Sequence, residues 1–207
     1  MGAANLTTHL PIVQVQNKAN TTPFTSAQPE KAGQTFKFGT PVQLSNLGFV
    51  QAWDGATVAA GILGVAESFG QNLASAGAGA PVPPFGGITG TIAIATYGSV
   101  PNQPSGVNIA IGTPVADGRT LYIEPNQDNI FQALIDNSNG LVASDWTPTL
   151  ASIGVAYGLT VDANGFWYVD KNKTGGNAVL QIVALPFGSY LNAPVNFVFL
   201  TSAIQIA

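Results

Sequence analysis

Apolar residues in this chain come in short runs cut by Gly, Pro, Asn and Asp, and helical spacing is almost absent. The runs "TFKFGTPVQL" (35–44), "FVQAW" (49–53), "ITGTIAIATYGSV" (88–100), "NAVLQIVAL" (177–185) and "VNFVFLTSAIQI" (195–206) have the length of strands. Short apolar segments between turn signals predict an all-β fold. The expected architecture is short antiparallel strands in one or two small barrel or sandwich modules, preceded by an extended N-terminal arm.

Turn residues set the punctuation. Asp54-Gly55 reads as a hairpin dipeptide, because both residues tolerate positive φ, and Asn164-Gly165 joins two strands within "VAYGLTVDANGFWYVDKN" (155–172). Pro41 marks a strand start or an edge, since it cannot donate to a ladder. "NIFQALIDNSNG" (129–140) fits strand or helix equally. "WTPTLASIG" (146–154) reads as the one short helix, with Thr147 as N-cap, Pro148 at the first position and Gly154 past the end. "ASAGAGAPVPPFGG" (74–87) is expected to be a long rim loop and "VPNQPSG" (100–106) a module boundary. Gly112-Thr113-Pro114-Val115 echoes Gly39-Thr40-Pro41-Val42, a hint of duplication, with Asp-Gly turns following at Asp54 and Asp117.

Three segments follow: an extended arm over 1–33, a β module over 34–100 and a second over 101–207. The arm is rich in Asn, Thr, Gln and Pro and is either a frayed terminus or a strand donated to a neighbour. In "IVQVQ" (12–16), Val13 and Val15 would share one face and Gln14 and Gln16 the other. Ile12, Val13 and Val15 are the candidates for contact with a neighbouring protein.

Charge is scarce: 8% of residues are Asp, Glu, Lys or Arg, against about 25% in an ordinary soluble domain. Asn and Gln number 28 against 16 formal charges. Mixed surface charge keeps monomers apart, so a surface this poor in it is expected to be covered by other protein, in an oligomer or a lattice. Six basic residues in a chain of net charge −4 cannot form the patch that neutralises phosphates, which sets nucleic-acid binding aside. The longest apolar stretch, Val58 to Ala66, is too short for a bilayer and holds two glycines, so no membrane partner is expected. The N-terminal stretch lacks a basic region followed by an apolar one, and the expected site of synthesis is a cytoplasm.

Chemistry finds little material. There is no cysteine, hence no thiolate and no Cys-based zinc site. The one histidine, His9, lies in the arm, away from any nucleophile–base pattern. Among the ten acids, Asp54, Asp117, Asp136 and Asp162 lie in Asp/Asn/Gly turn sequences, where Asp bonds the backbone. "DNSNG" (136–140) and "DANG" (162–165) lack the spaced ligands of a calcium loop. No catalytic residue, cofactor or metal is assigned, and the protein is expected not to be an enzyme. Trp53, Trp146, Trp167 and Tyr168 could stack on sugars, but Phe166, Trp167 and Tyr168 alternate in direction, which favours core or interface packing.

One block carries a likeness. Ala52-Trp53-Asp54-Gly55-Ala56-Thr57, then Gly61-Ile62-Leu63-Gly64-Val65-Ala66, with "GTPVQL" (39–44) upstream, resembles the lambda-like head decoration proteins of tailed bacteriophages. Trp53, Asp54, Gly55, Gly61, Ile62 and Leu63 form the fold signature, and residues 158–200 are similar to a C-terminal block of phage structural proteins. The resemblance implies a capsid decoration (cement) protein, a homotrimer on the outer surface of the virion, bound to the major capsid protein. The alternatives are a host-surface carbohydrate-binding adhesin or tail-associated protein, and a self-assembling coat or tube subunit.

Overall fold

The computed structural model describes residues 9–18, 25–31, 36–67, 119–126 and 128–205. In chain order the strands are β1 (Val13–Asn17), β2 (Thr25–Pro29), β3 (Pro41–Leu44), β4 (Val50–Ala52), β5 (Gly64–Ala66), β6 (Arg119–Ile123), β7 (Asn129–Asp136), β8 (Ala156–Val161), β9 (Trp167–Asp170), β10 (Leu180–Ala184) and β11 (Pro194–Phe199). The described chain is all-β, with a small barrel and a second sheet. The rim loop at 74–87, the strand at 88–100, the boundary at 100–106, the Gly112–Val115 echo and the Asp117 turn lie outside the described residues.

The barrel is the ring β7-β11-β10-β8-β9. It closes where β9 runs parallel to β7, pairing Val169 with Ile135 and Asp170 with Asp136; its other pairs are antiparallel. β11 alternates as a one-sided strand should: Val195, Phe197 and Phe199 are buried and the residues between them half-exposed. The rings of Phe131, Phe197 and Phe199 meet at centroid distances of 5.2–6.0 Å and fill the interior. "NIFQALID" forms strand β7, and its ambiguous pattern has a physical cause. Phe131, Ala133 and Ile135 enter the barrel core, while Ile130 and Leu134 are buried as well. A strand covered on both faces loses its alternation.

The second sheet has the order β2-β6-β5-β3-β4, antiparallel throughout, and a parallel bridge from Glu30 to Val50 brings the end of β2 back to β4. One face holds a small core of its own, with Phe36, Val42, Val50, Leu63 and Tyr122. Val65, Ile123, Ile62 and Trp53 instead join the barrel core. The junction is stitched by Ile62 N to Ala203 O at 2.9 Å and Gln205 N to Ile62 O at 2.8 Å.

Three local expectations are corrected. β4 and β5 do not form a hairpin with each other, because both pair with β3, on opposite sides of it. Asp54-Gly55 therefore opens a longer corner, not a two-residue hairpin. The helix placed at 146–154 is instead a four-residue turn of helix, α1 (Ala143–Trp146), and a separate 3-10 turn at Leu150–Ser152. Thr149 is its N-cap, Thr147 ends α1, and Gly154 follows at φ +83°. Third, Val13 and Val15 do not share a face regularly. Gln14 and Gln16 pair with the consecutive residues Phe131 and Ile130, so Val15 is the extra residue of a bulge.

Candidate functional site

The signature block forms a corner between the two sheets. Asp54 caps it: its carboxylate accepts from the backbone N–H of Ala56 and of Thr57 at 2.8 Å each, and from the Thr57 hydroxyl at 2.7 Å. Burial acts to raise the Asp54 pKa, but the bonds from Thr57 and Ala56 outweigh it and hold the carboxyl below its ordinary value. The Trp53 indole N–H donates to the Thr57 carbonyl at 2.8 Å. Its ring, only 3% exposed, lies 5.2 Å from that of Trp167 in the barrel. Gly55 takes φ +74°, and a Cβ there would reach Trp167 at 3.3 Å. Gly61 is tighter still, since a Cβ would fall 1.8 Å from the Thr57 carbonyl oxygen. Ile62 and Leu63 then divide between the two cores. Every polar or aromatic group of the corner is engaged in holding it.

Beside the corner lies a polar groove of about 310 Å³, lined among others by Lys31, Gln43, Ser45, Gln51, Thr57 and Gln205. Part of its lining is internally bonded: Lys31 Nζ donates to the Gln51 side chain at 2.7 Å, and the Leu44 N–H donates to the Gln205 side-chain oxygen at 2.8 Å.

The arm pairs with this chain's own barrel: β1 lies antiparallel to β7. Ile12 is fully buried in the barrel core, so its side chain faces inward, whereas Val13 is half-buried and Val15 is 42% exposed. Gly39, at φ +80°, allows Pro11 and Ile12 to lie against it; a Cβ there would come within 2.6 Å of both. His9 fastens the start of the arm. Its Nδ1 lies 2.5 Å from Asp162 and its Nε2 3.0 Å from the Asn164 amide, and its ring stacks on Phe166. The Lys37 ammonium sits 4.2 Å from the centroid of the same Phe166 ring and donates to Asn164 O at 2.5 Å. Neither this clamp nor the seat on Gly39 was legible in the sequence. The partners lie as much as 155 residues apart, and only "DANG" signalled a fixed loop.

The remaining candidates are placed as follows. Trp167 is buried against Trp53, and Tyr168 is buried on the outer side of β9, where desolvation and then the charges of Asp170 and Asp136 raise its pKa. Trp146 packs closely over Gly140, where a Cβ would meet its Nε1 at 2.4 Å. Asp136 and Asp170 are neighbours across the β7–β9 pair and fully buried. Asp170 accepts from Ser138 N, Asn172 N and the Thr160 hydroxyl, and Asp136 receives the Asn192 amide at 3.4 Å. They cross-link loops and do not face each other across a groove, the arrangement glycoside hydrolysis needs. Asp162 accepts from Asn164 N and Phe166 N within its own turn. Among the described residues no three His, Cys, Asp or Glu side chains gather as metal ligands, and no helix is long and apolar enough to cross a membrane.

Comparison with known protein families and with curated proteins gives no match in either case. The likeness to decoration proteins thus rests on the residues quoted for it.

Proposed function

We propose that this chain is a structural protein of a bacteriophage head, a decoration protein that binds the outer surface of the major capsid protein lattice and stabilises it. The observation that carries this reading is the character of the exposed surface. Among the described residues eleven large hydrophobic side chains are 42–88% exposed, in a chain with 16 formal charges. Such a surface suits a protein held against others and is costly for one that circulates alone. The signature corner supports the same reading, because its Trp and Asp maintain a rigid joint and present no reactive group. A protein that binds only the assembled lattice stabilises it by its binding free energy, so no chemistry is required.

The test is to mix the purified protein with empty expanded heads built from the shell protein encoded alongside it, and to image them. Regular occupancy of lattice positions is expected. Bare shells at saturating protein would refute the reading.

A further inference from the structure

Seven of the eleven exposed hydrophobic side chains lie at one end of the barrel. β7 and β10 finish there and β8 and β11 begin there, so the β7–β8 and β10–β11 connections share that end. The first connection exposes Leu141 (88%), Val142, Leu150 (78%) and Ile153. The second exposes Phe187 (62%), Tyr190 and Leu191. Asn192 joins the two loops, its N–H donating to Trp146 O at 3.1 Å and its side-chain amide to Ile135 O at 3.0 Å. The arm clamp, the Trp53 corner and the second sheet all occupy the opposite end, around the β8–β9 turn and residues 200–205.

We propose that this loop end of the barrel is a contact face between copies of this chain. Two arguments select a second copy as the occupant. Seven large side chains exposed to this degree present on the order of 700 Å² of mostly apolar surface. That approaches the ~800 Å² each partner contributes to a standard interface. The second argument is charge. Copies of a chain with net charge −4 repel, and they meet most easily where that charge is absent. The two connections carry one acid, Asp145, and a second, Asp136, ends β7 beside them. Asp136, where the first begins, is fully buried. Asp145 is engaged by the N–H groups of Leu141 and Val142 and has the Lys171 ammonium nearby. Lys171 is itself held on the carbonyls of Ser144 and Thr147. The face is apolar and locally balanced, so two copies can be pressed together there without like charges meeting. The contact does not require a capsid.

Sedimentation velocity of the full chain, with concentration raised to about 100 µM, tests it. The wild type is expected to associate, and the double variant Leu141→Glu/Leu150→Glu to associate at least about 30-fold more weakly. Both positions are largely exposed, so folding should be preserved, checked by an unchanged thermal midpoint. Leu47→Glu, 77% exposed in the second sheet, should associate like wild type. A wild type that stays monomeric overturns the proposal, as does association that the double variant does not weaken. If the wild type is monomeric and the double variant loses shell occupancy, the face belongs to the capsid protein and the proposal is again overturned. Self-association through this face without shell binding would sustain the proposal and remove the decoration reading.

Discussion

Replacing Trp53 by alanine should damage folding before it damages anything else. The side chain is almost wholly buried, faces Trp167 at 5.2 Å and ties its own loop through Thr57 O. Truncating a buried Trp to Ala costs about 3–5 kcal/mol, and the aromatic pair accounts for roughly 0.5–1.5 kcal/mol of such a loss. The Thr57 carbonyl belongs to an exposed residue and can be rehydrated, so the lost hydrogen bond adds little. A loss near 4 kcal/mol is a large fraction of the ~5–15 kcal/mol that holds a domain together. It should lower the thermal midpoint by roughly 8–15 °C in a chain of this size. Urea unfolding followed by far-UV circular dichroism, with m unchanged, gives the free energy. A double-mutant cycle with Trp167→Ala should return a coupling of about 0.5–1.5 kcal/mol. A Trp53→Ala protein with a wild-type urea midpoint would refute the view that the corner is a structural joint. So would one that loses only partner binding.

Other outcomes follow from the same geometry. Gly61→Ala should destabilise by about 1–3 kcal/mol, because its Cβ must displace the Thr57 carbonyl, while Gly176→Ala, which meets nothing within 4 Å, should stay within about 0.5 kcal/mol. Equal urea midpoints for the two would contradict the close approach. Asp54 has a folded pKa below its unfolded one. Its stabilising contribution is therefore complete above the unfolded carboxylate value of about 4 and is lost as pH falls through the folded value. The stability gap between wild type and Asp54→Asn should shrink from about pH 5 towards pH 2, and a constant gap would exclude the linkage. His9→Ala should cost about 1–2 kcal/mol and speed hydrogen exchange of the β1 amides over those of β10. Uniform exchange in both strands would show that the clamp does not hold the arm.

The strand content was legible because the turns announce themselves. Gly165 adopts φ +80° in the Asp162–Phe166 turn, which joins β8 to β9 as Asn164-Gly165 suggested. β11 alternates because one of its faces is half-open to solvent. What stayed hidden depends on distance along the chain. Nothing near Ile12 says that it belongs to a barrel core built largely from residues after 122, or that Gly39 leaves space for it. The Asp54-Gly55 dipeptide reads as a local hairpin because hairpin signals are local. Its strands turn instead to a third strand between them, and a dipeptide carries no record of that. The candidate site was legible as a motif, and its use as a joint became clear only once Trp167 was placed against it.

The shared edge of β7 has a kinetic consequence. β9 covers Ile135 and Asp136 on that edge, and β1 covers the stretch from Asn129 to Gln132. β1 leaves a ribosome before its partner strand, which lies 112 residues further on, counted from Asn17 to Asn129. At about 5–20 residues per second that interval is roughly 6–20 s. During it Ile12 has no core to enter, and once β7 forms its lower edge stays open until the arm arrives. An unpaired edge accepts any strand of suitable register, including the arm of another copy made nearby. Docking of the arm on β7 is thus a step that one chain can complete for another.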